Sequence, residues 1–390
     1  MTERIYYNDS YLTQFRANVM NVGPDPTRVY LDRTAFYPSS GGQPADQGTL
    51  NGKSVIDVID EGERILHVLS EPLGQAGEVT GVIDWTRRFD HMQQHSGQHL
   101  LSAVLLEMFG IPTVSFHLGT QVCTIDVEAP KLDSAQVLAA ELRANALVFE
   151  NRPLTVEYGD SKEELALRKA TQREGAIRIV AITGLDRSAC GGTHVRASGE
   201  IGPILLSKLD KVRGNVRIEF RCGMRAVQHA RDNFDRLSAV AQVFSGPLEE
   251  IPALVRLQAT KLQESEKLRK KLGEELARMR GRERYLETVP DPTGLRRVVL
   301  RLPSLTDDVR AEAQSFTAAA QAMFLAVGEN PPSILLATSK DSGISAGERL
   351  KVLLASVGGR GGGTPSLAQG SVESGKDLDN IVQMLVNLGL

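Results

Sequence analysis

Two pairs of metal-ligating side chains, His95 with His99 and Cys190 with His194, constrain the fold of this chain more than any other feature. In MQQHSGQHLLSAVLLEMFG, the residues His95, His99, Leu100, Ala103 and Leu106 recur at helical spacing before Gly110, which predicts a helix with both imidazoles on one face. The second pair lies in CGGTH, whose glycines suit a tight turn. Three nitrogens and one sulfur form a ligand set suited to Zn²⁺, so a fold that unites them must carry a helix and a distant turn to one point. One such pair alone is as often an ordinary polar or core feature; two complementary pairs point to one zinc ion per chain. His91, four residues before His95, is an alternative ligand, although a solvated histidine near a helix end is commoner. A HExxH protease places its glutamate base directly after the first histidine, where this chain has Ser96, so that chemistry is a poor match. Closed structural zinc sites are usually rich in cysteine. A single thiolate with three histidines favours a working site able to acidify water or polarise a carbonyl.

The chain around these pairs has 390 residues, more than one core usually organises, so several domains are expected. With 41% apolar and 24% charged residues it should fold rather than stay disordered. Cys123, Cys190 and Cys222 are odd in number and far apart, which argues against a disulfide scaffold and for a reducing, cytoplasmic setting. The start, MTERIYYNDSYLTQF, lacks a basic segment followed by an apolar one, and no run approaches the roughly 18 apolar residues of a spanning helix. A net charge of −3 does not advertise nucleic-acid binding, but a whole-chain sum can hide a basic face.

Pattern divides the chain into an α+β multidomain protein. Residues 1–88 read as short alternating strands with turn residues between them, a small β-barrel that carries the loop FYPSSGGQPADQG. Residues 89–224 read as one α+β domain: the histidine helix, the strand TQVCTIDV, a helix opened by Asp133 and Ser134, and the strands PLTVEYG and AIRIVAI around a helix SKEELALRKA. Apolar stripes through Ala226, Ala230, Phe234 and Leu237, then Leu254, Leu257, Leu268, Leu272, Leu276 and Met279, predict a helical hairpin arm over 225–289. Strands alternating with helices over 290–390 predict an α/β domain, with a glycine-rich loop GGRGGGTPSLAQG before its last helix.

The loop from Ser39 to Gln43 contains adjacent Gly41 and Gly42, which let backbone approach a substrate, and Gln43, which offers both donor and acceptor. A plain β-turn explains the loop equally well. Arg87, Arg88, Arg213 and Arg217 flank the domain that holds the ligands and could meet phosphates, as could the arm's LRKK and RMRGRER, although a solvated helix face accounts for the arm. Arg360 and the glycine-rich loop could form an anion cradle; the loop lacks a P-loop lysine, so ATP binding is not expected.

FYPSSGGQPADQG, HSGQHLL and CGGTHVRASGEIGP, in this order and followed by GGRGGGTPSLAQG, together resemble the alanyl-tRNA editing protein family, in its long form with a C-terminal DHH-associated domain. That family is related to the editing and C-terminal domains of alanyl-tRNA synthetase, and the resemblance covers essentially the whole chain. It implies an editing domain of the threonyl/alanyl-tRNA synthetase type, with zinc held by His95, His99, Cys190 and His194. It further implies hydrolysis, in trans, of tRNA(Ala) wrongly charged with serine and sometimes glycine, without aminoacylation, because nothing resembles an adenylate-forming domain. Thr113, with Ser115 as its rival, stands where the family recognises the serine hydroxyl, and Gln43 with nearby backbone amides would steady the substrate or the developing oxyanion. The tail would contact tRNA, and the arm or the C-terminal domain could form a homodimer. Two other readings stay open: a tRNA-binding or oligomerising module with structural zinc, and a deacylase of another aminoacyl-tRNA or a small acyl ester.

Overall fold

Six short antiparallel strands near the N-terminus close on themselves in the computed structural model, which describes residues 1–74, 77–159, 168 and 177–386. Around the barrel run Gln14–Val22, Arg28–Leu31, Ile65–Leu69, Lys53–Asp60, Gly48–Leu50 and Glu78–Ile83, the last pairing back to the first. Alternation puts Phe15, Ala17, Val29, Leu31, Val55, Val58 and Val79 inside with Phe36, as the sequence pattern predicts for a barrel. The helix predicted over SKEELALRKA lies outside the described residues apart from Arg168.

Helix α1, Trp85–Phe109, opens where Asp84 accepts a hydrogen bond from the Arg87 backbone N–H at 3.1 Å and ends at Gly110 in the left-handed conformation. Every residue from His91 to Leu105 is buried. A helix enclosed on all sides must find partners for its polar groups, and α1 finds them in the surrounding chain. Gln94 donates through Nε2 to the Cys222 carbonyl and accepts through Oε1 from the Cys222 N–H, both at 2.9 Å, pairing with that backbone as a strand would.

On one side α1 packs with helix α2, Ser134–Phe149, which begins in a capping box between Asp133 and Gln136. A four-stranded antiparallel sheet in the order Ile204–Val212, Asn215–Cys222, Cys123–Val127, Thr113–Leu118 completes this core through Ile125, Ile218 and Phe220. A three-stranded sheet, Leu154–Gly159, Ile177–Ile182 and Asp186–Ala189, presents the CGGTH turn directly after its last strand.

Compact units span Met1–Val240 and Ala241–Leu390. Helix α3, Met224–Phe244, runs to the end of the first and just past it. In the second, helix α4, Ile251–Glu287, is anchored near its C-terminus on helix α5, Asp307–Phe316, where Arg284 donates to Glu312 at 2.7 Å and Ser315 to the Arg278 carbonyl at 2.6 Å. Leu268, Leu272 and Met279 of its apolar stripe stay more than half exposed. The sheet of this unit runs Arg296–Leu302, Ala322–Gly328, Ser333–Thr338, Leu367–Ser371, Arg360–Thr364, with helices α6, Ala346–Ser356, and α7, Gly375–Val386. Its first pair of strands is parallel and α5 makes the crossover.

One expectation fails here. The glycine-rich stretch is a hairpin rather than a loop: Arg360 to Thr364 pair residue by residue with Ser371 to Leu367. Alternating amides are thereby turned into a ladder and do not converge into an anion cradle, although Arg360 itself is exposed.

Candidate functional site

His95, His99, Cys190 and His194 meet. Their ligand atoms lie within 4.8 Å of one another, with Cys190 Sγ 3.4 Å from His95 Nε2 and 3.2 Å from His194 Nε2. His91 does not join them; it is buried elsewhere on α1, where desolvation and the neighbouring Arg87 push its imidazole down to about 4.

Two of the imidazoles are held from behind by a hydrogen bond to the other nitrogen, and the third turns that nitrogen, which has no hydrogen-bond partner among the described residues, toward a carboxylate. His95 Nδ1–H donates to Gln43 Oε1 at 2.9 Å, His194 Nδ1 lies 3.0 Å from Ser96 Oγ, and His99 Nδ1 lies 3.4 Å from the buried Asp186 carboxylate. Such outer partners fix the tautomer that leaves Nε2 free to ligate, which is what a metal site requires of histidine. Burial alone would raise the Cys190 thiol, but the surrounding His95, His194 and His99 outweigh it and hold the group well below its ordinary value, in favour of the ligating thiolate. Burial and the nearby His95 push His194 down to about 3, which keeps its lone pair available. The cluster therefore fits a tetrahedral divalent ion with nitrogen and sulfur ligands, zinc first among them.

Arg178 shapes the turn that delivers Cys190: Nη1 donates to the carbonyls of Cys190 at 2.7 Å and Gly192 at 3.0 Å. Gly192 is required by space, since a Cβ there would stand 2.2 Å from the His95 ring. Gly42, at φ +81°, is similarly pressed, its Cβ position 2.9 Å from the ring of Phe116.

A cleft of about 780 Å³ opens on the cluster, and its lining includes Tyr37, Gly41, Gly42, Gln98, Thr113 and Ser115. Thr113 Oγ1 donates to Ser102 Oγ at 2.7 Å, whereas Ser115 is exposed and donates to Asp126 at 2.9 Å.

Gln43 is placed differently from the sequence expectation that it touches substrate. Its side chain is 1% exposed and fully engaged, since Oε1 accepts from His95 and from the Thr193 N–H at 3.2 Å, while Nε2 donates to Thr193 Oγ1 at 2.8 Å. Gln43 thus ties the barrel loop to His95 and to Thr193, the neighbour of His194, and is placed to position His95. Gln43→Ala should weaken zinc binding about 10–100-fold in a chelator-competition titration, and an unchanged affinity would refute the role.

Arg88 also lies elsewhere than the sequence suggests. Its side chain has no exposed surface and is ion-paired with Asp46 inside the protein, so it cannot meet a phosphate. Arg87 donates to the Ala45 carbonyl at 3.0 Å, and Arg217 grips Asp126 through two hydrogen bonds of 2.6 and 2.8 Å. Arg213, at an exposed turn with φ +49°, keeps its side chain toward solvent.

Sequence reading missed Gln98, Asp186, Thr193 and Arg178. Thr193 lies inside CGGTH and Gln98 inside HSGQH, so proximity was a usable signal for these two. Asp186 and Arg178 reach the site only through strand pairing, which no local pattern announces.

A family model described as the threonyl and alanyl tRNA synthetase second additional domain matches residues 177–219, the stretch that carries Cys190 and His194. The alanyl-tRNA editing protein AlaX-L of Pyrococcus horikoshii is 33% identical over 96% of this chain and 95% of its own. The alanine–tRNA ligases of Pyrococcus abyssi and Methanoregula boonei are 29% and 31% identical over 99% and 100% of this chain, which spans only 44% and 43% of their lengths. Among solved structures, the C-Ala domain from Aquifex aeolicus alanyl-tRNA synthetase is 19% identical over 23% of this chain and 86% of that one, at a TM-score of 0.20.

Proposed function

Because the chain belongs to the alanyl-tRNA editing protein family, we propose that it is a trans-acting deacylase, a zinc-dependent hydrolase that cleaves the ester of tRNA(Ala) mischarged with serine or glycine. The observation that carries this reading is the buried His95–His99–Cys190–His194 cluster, three of whose members line a cleft of about 780 Å³.

When bound, the ion supplies positive charge that can polarise the ester carbonyl or acidify a water molecule. The protein's own groups do the remainder. Gln43, Ser96 and Asp186 aim the imidazoles, and Gly41 and Gly42 offer backbone to the substrate on the barrel side. Thr113, which lines the same cleft, meets the acyl group, with Ser115 two residues along the same strand. A synthetase pocket cannot strongly reject an amino acid that merely adds a hydroxyl to alanine, which makes a second, hydrolytic site necessary. The exposed Arg213 and Arg360 are the candidates for phosphate contact. No helix among the described residues is long and apolar enough to cross a membrane, and the reading places the protein in the cytoplasm with the translation machinery.

The test is a panel of Ser-, Gly- and Ala-tRNA(Ala) with Ser-tRNA(Ser), assayed with the zinc-loaded protein. Ser-tRNA(Ala) should be deacylated about 10²-fold or more faster than Ala-tRNA(Ala). Zinc binding without deacylation of any of the four would instead favour a tRNA-binding module with structural zinc.

A further inference from the structure

Gln98 sits three residues after His95 on α1, on the same helical face, and lines the cleft that opens on the ligand cluster. It is 2% exposed, yet its Oε1 has no hydrogen-bond partner among the described residues. A buried acceptor left unpaired is costly and rare, so one placed on the wall of a substrate cleft points to a donor that arrives with the substrate.

The neighbours define what that donor is. Ser102 Oγ accepts two hydrogen bonds, from Gln98 Nε2 at 2.9 Å and from Thr113 Oγ1 at 2.7 Å. Gln98 has thus given one of its two Nε2 hydrogens to Ser102 and Thr113 its hydroxyl hydrogen, and the oxygen of each keeps acceptor capacity beside the cleft that both residues line. The single O–H of a hydroxyl satisfies the orphaned Gln98 Oε1 in full, whereas a buried ammonium, with three N–H groups, calls for a carboxylate or a full set of three acceptors.

Resting on the deacylase reading above, we propose that Gln98 Oε1 accepts the hydrogen bond of the serine side-chain hydroxyl and is a specificity-determining residue of the site. Alanine brings no donor, so its ester leaves the acceptor orphaned and is bound and turned over less well. The discriminating element is then a pair, Gln98 and Thr113, locked together through Ser102.

Gln98→Leu and Gln98→Glu in the full-length protein test this, the first removing the acceptor and the second retaining one. Zinc content is measured for both, and binding is followed by calorimetry with non-hydrolysable 3′-serylamino- and 3′-alanylamino-adenosine alongside turnover of Ser- and Ala-tRNA(Ala). Gln98→Leu should keep its zinc and lose about tenfold or more of its affinity for the seryl analogue, with the alanyl analogue bound no more weakly than by wild type. Gln98→Glu should stay within about threefold of wild type for the seryl analogue. A proportional loss for both analogues, which would mean that the acceptor serves the common ammonium or only packs, overturns the proposal, as does an unchanged seryl affinity. Wild-type protein that shows the seryl preference in binding but no turnover would overturn the deacylase reading and leave the assignment of Gln98 standing.

Discussion

Alanine at His99 or Cys190 is expected to remove bound zinc and, with it, hydrolysis of Ser-tRNA(Ala), with a loss well beyond the about 10–100-fold that removal of an outer partner costs. Each substitution deletes one ligand from a set with no spare among the described residues: His91, the other histidine on the helix, lies outside the cluster. The remaining ligands also lose electrostatic support, because the histidines around Cys190 hold its thiol well below the ordinary value against the effect of burial. Cys123 and Cys222 provide the control. Burial pushes the Cys123 thiol up to about 11 and that of Cys222 well above its ordinary value, as for inert packing groups, and neither belongs to the cluster. Cys222→Ala should therefore keep its zinc. Metal content by plasma spectrometry and single-turnover deacylation decide the matter, and a zinc-free Cys190→Ala protein with full activity would end the metal-dependent mechanism.

How the ligand set could be read from the sequence, while its supports could not, follows from distance along the chain. The helix around His95 announces itself by apolar period and by Gly110, and the turn at Cys190 by its glycines; both are local signals. The barrel was legible for the same reason, since alternation in strands such as Arg28–Leu31 is local. Gln43 stands out in the sequence, but its neighbours there suggest a substrate loop, and only the packing of that loop on Thr193 turns the side chain away from the cleft. The glycine-rich tail failed differently. Glycine signals both loops and close strand approach, and the ladder from Arg360 to Thr364 shows which applies. Arg88 is the sharpest case, because an arginine next to Arg87 at a helix start reads as surface charge, and nothing local reveals the aspartate that buries it.

That buried pair sets the second large effect. Asp46→Ala should destabilise the N-terminal unit by about 3–5 kcal/mol, because a guanidinium cannot shed its proton and would be left uncompensated in the interior. Arg88 and Asp46 side chains are both 0% exposed, and Arg88 Nε lies 3.0 Å from each carboxylate oxygen. The same guanidinium donates to the backbone carbonyls of Ser10 and Ala35, while Asp46 accepts from the Tyr37 N–H at 2.6 Å, so the pair joins the start of α1 to the barrel loop that carries Gln43. Arg16 and Glu78 make the contrasting case: 3.6 Å apart with side chains 75% and 61% exposed, they should cost about 0–1 kcal/mol when Glu78 is replaced by alanine. For a unit of this size the Asp46→Ala loss corresponds to a fall in melting temperature of roughly 6–20 °C. A fall no larger than that of Glu78→Ala would show that the pair contributes little. Replacing both partners by apolar residues, Arg88→Met with Asp46→Leu, should recover much of the stability, since the penalty comes from the stranded charge rather than from loss of the bond. That double variant also separates folding from tRNA binding. With Arg88 internal, it should leave the salt dependence of tRNA binding unchanged, whereas Arg213→Ala should lower the slope by about one, the signature of a lost phosphate contact.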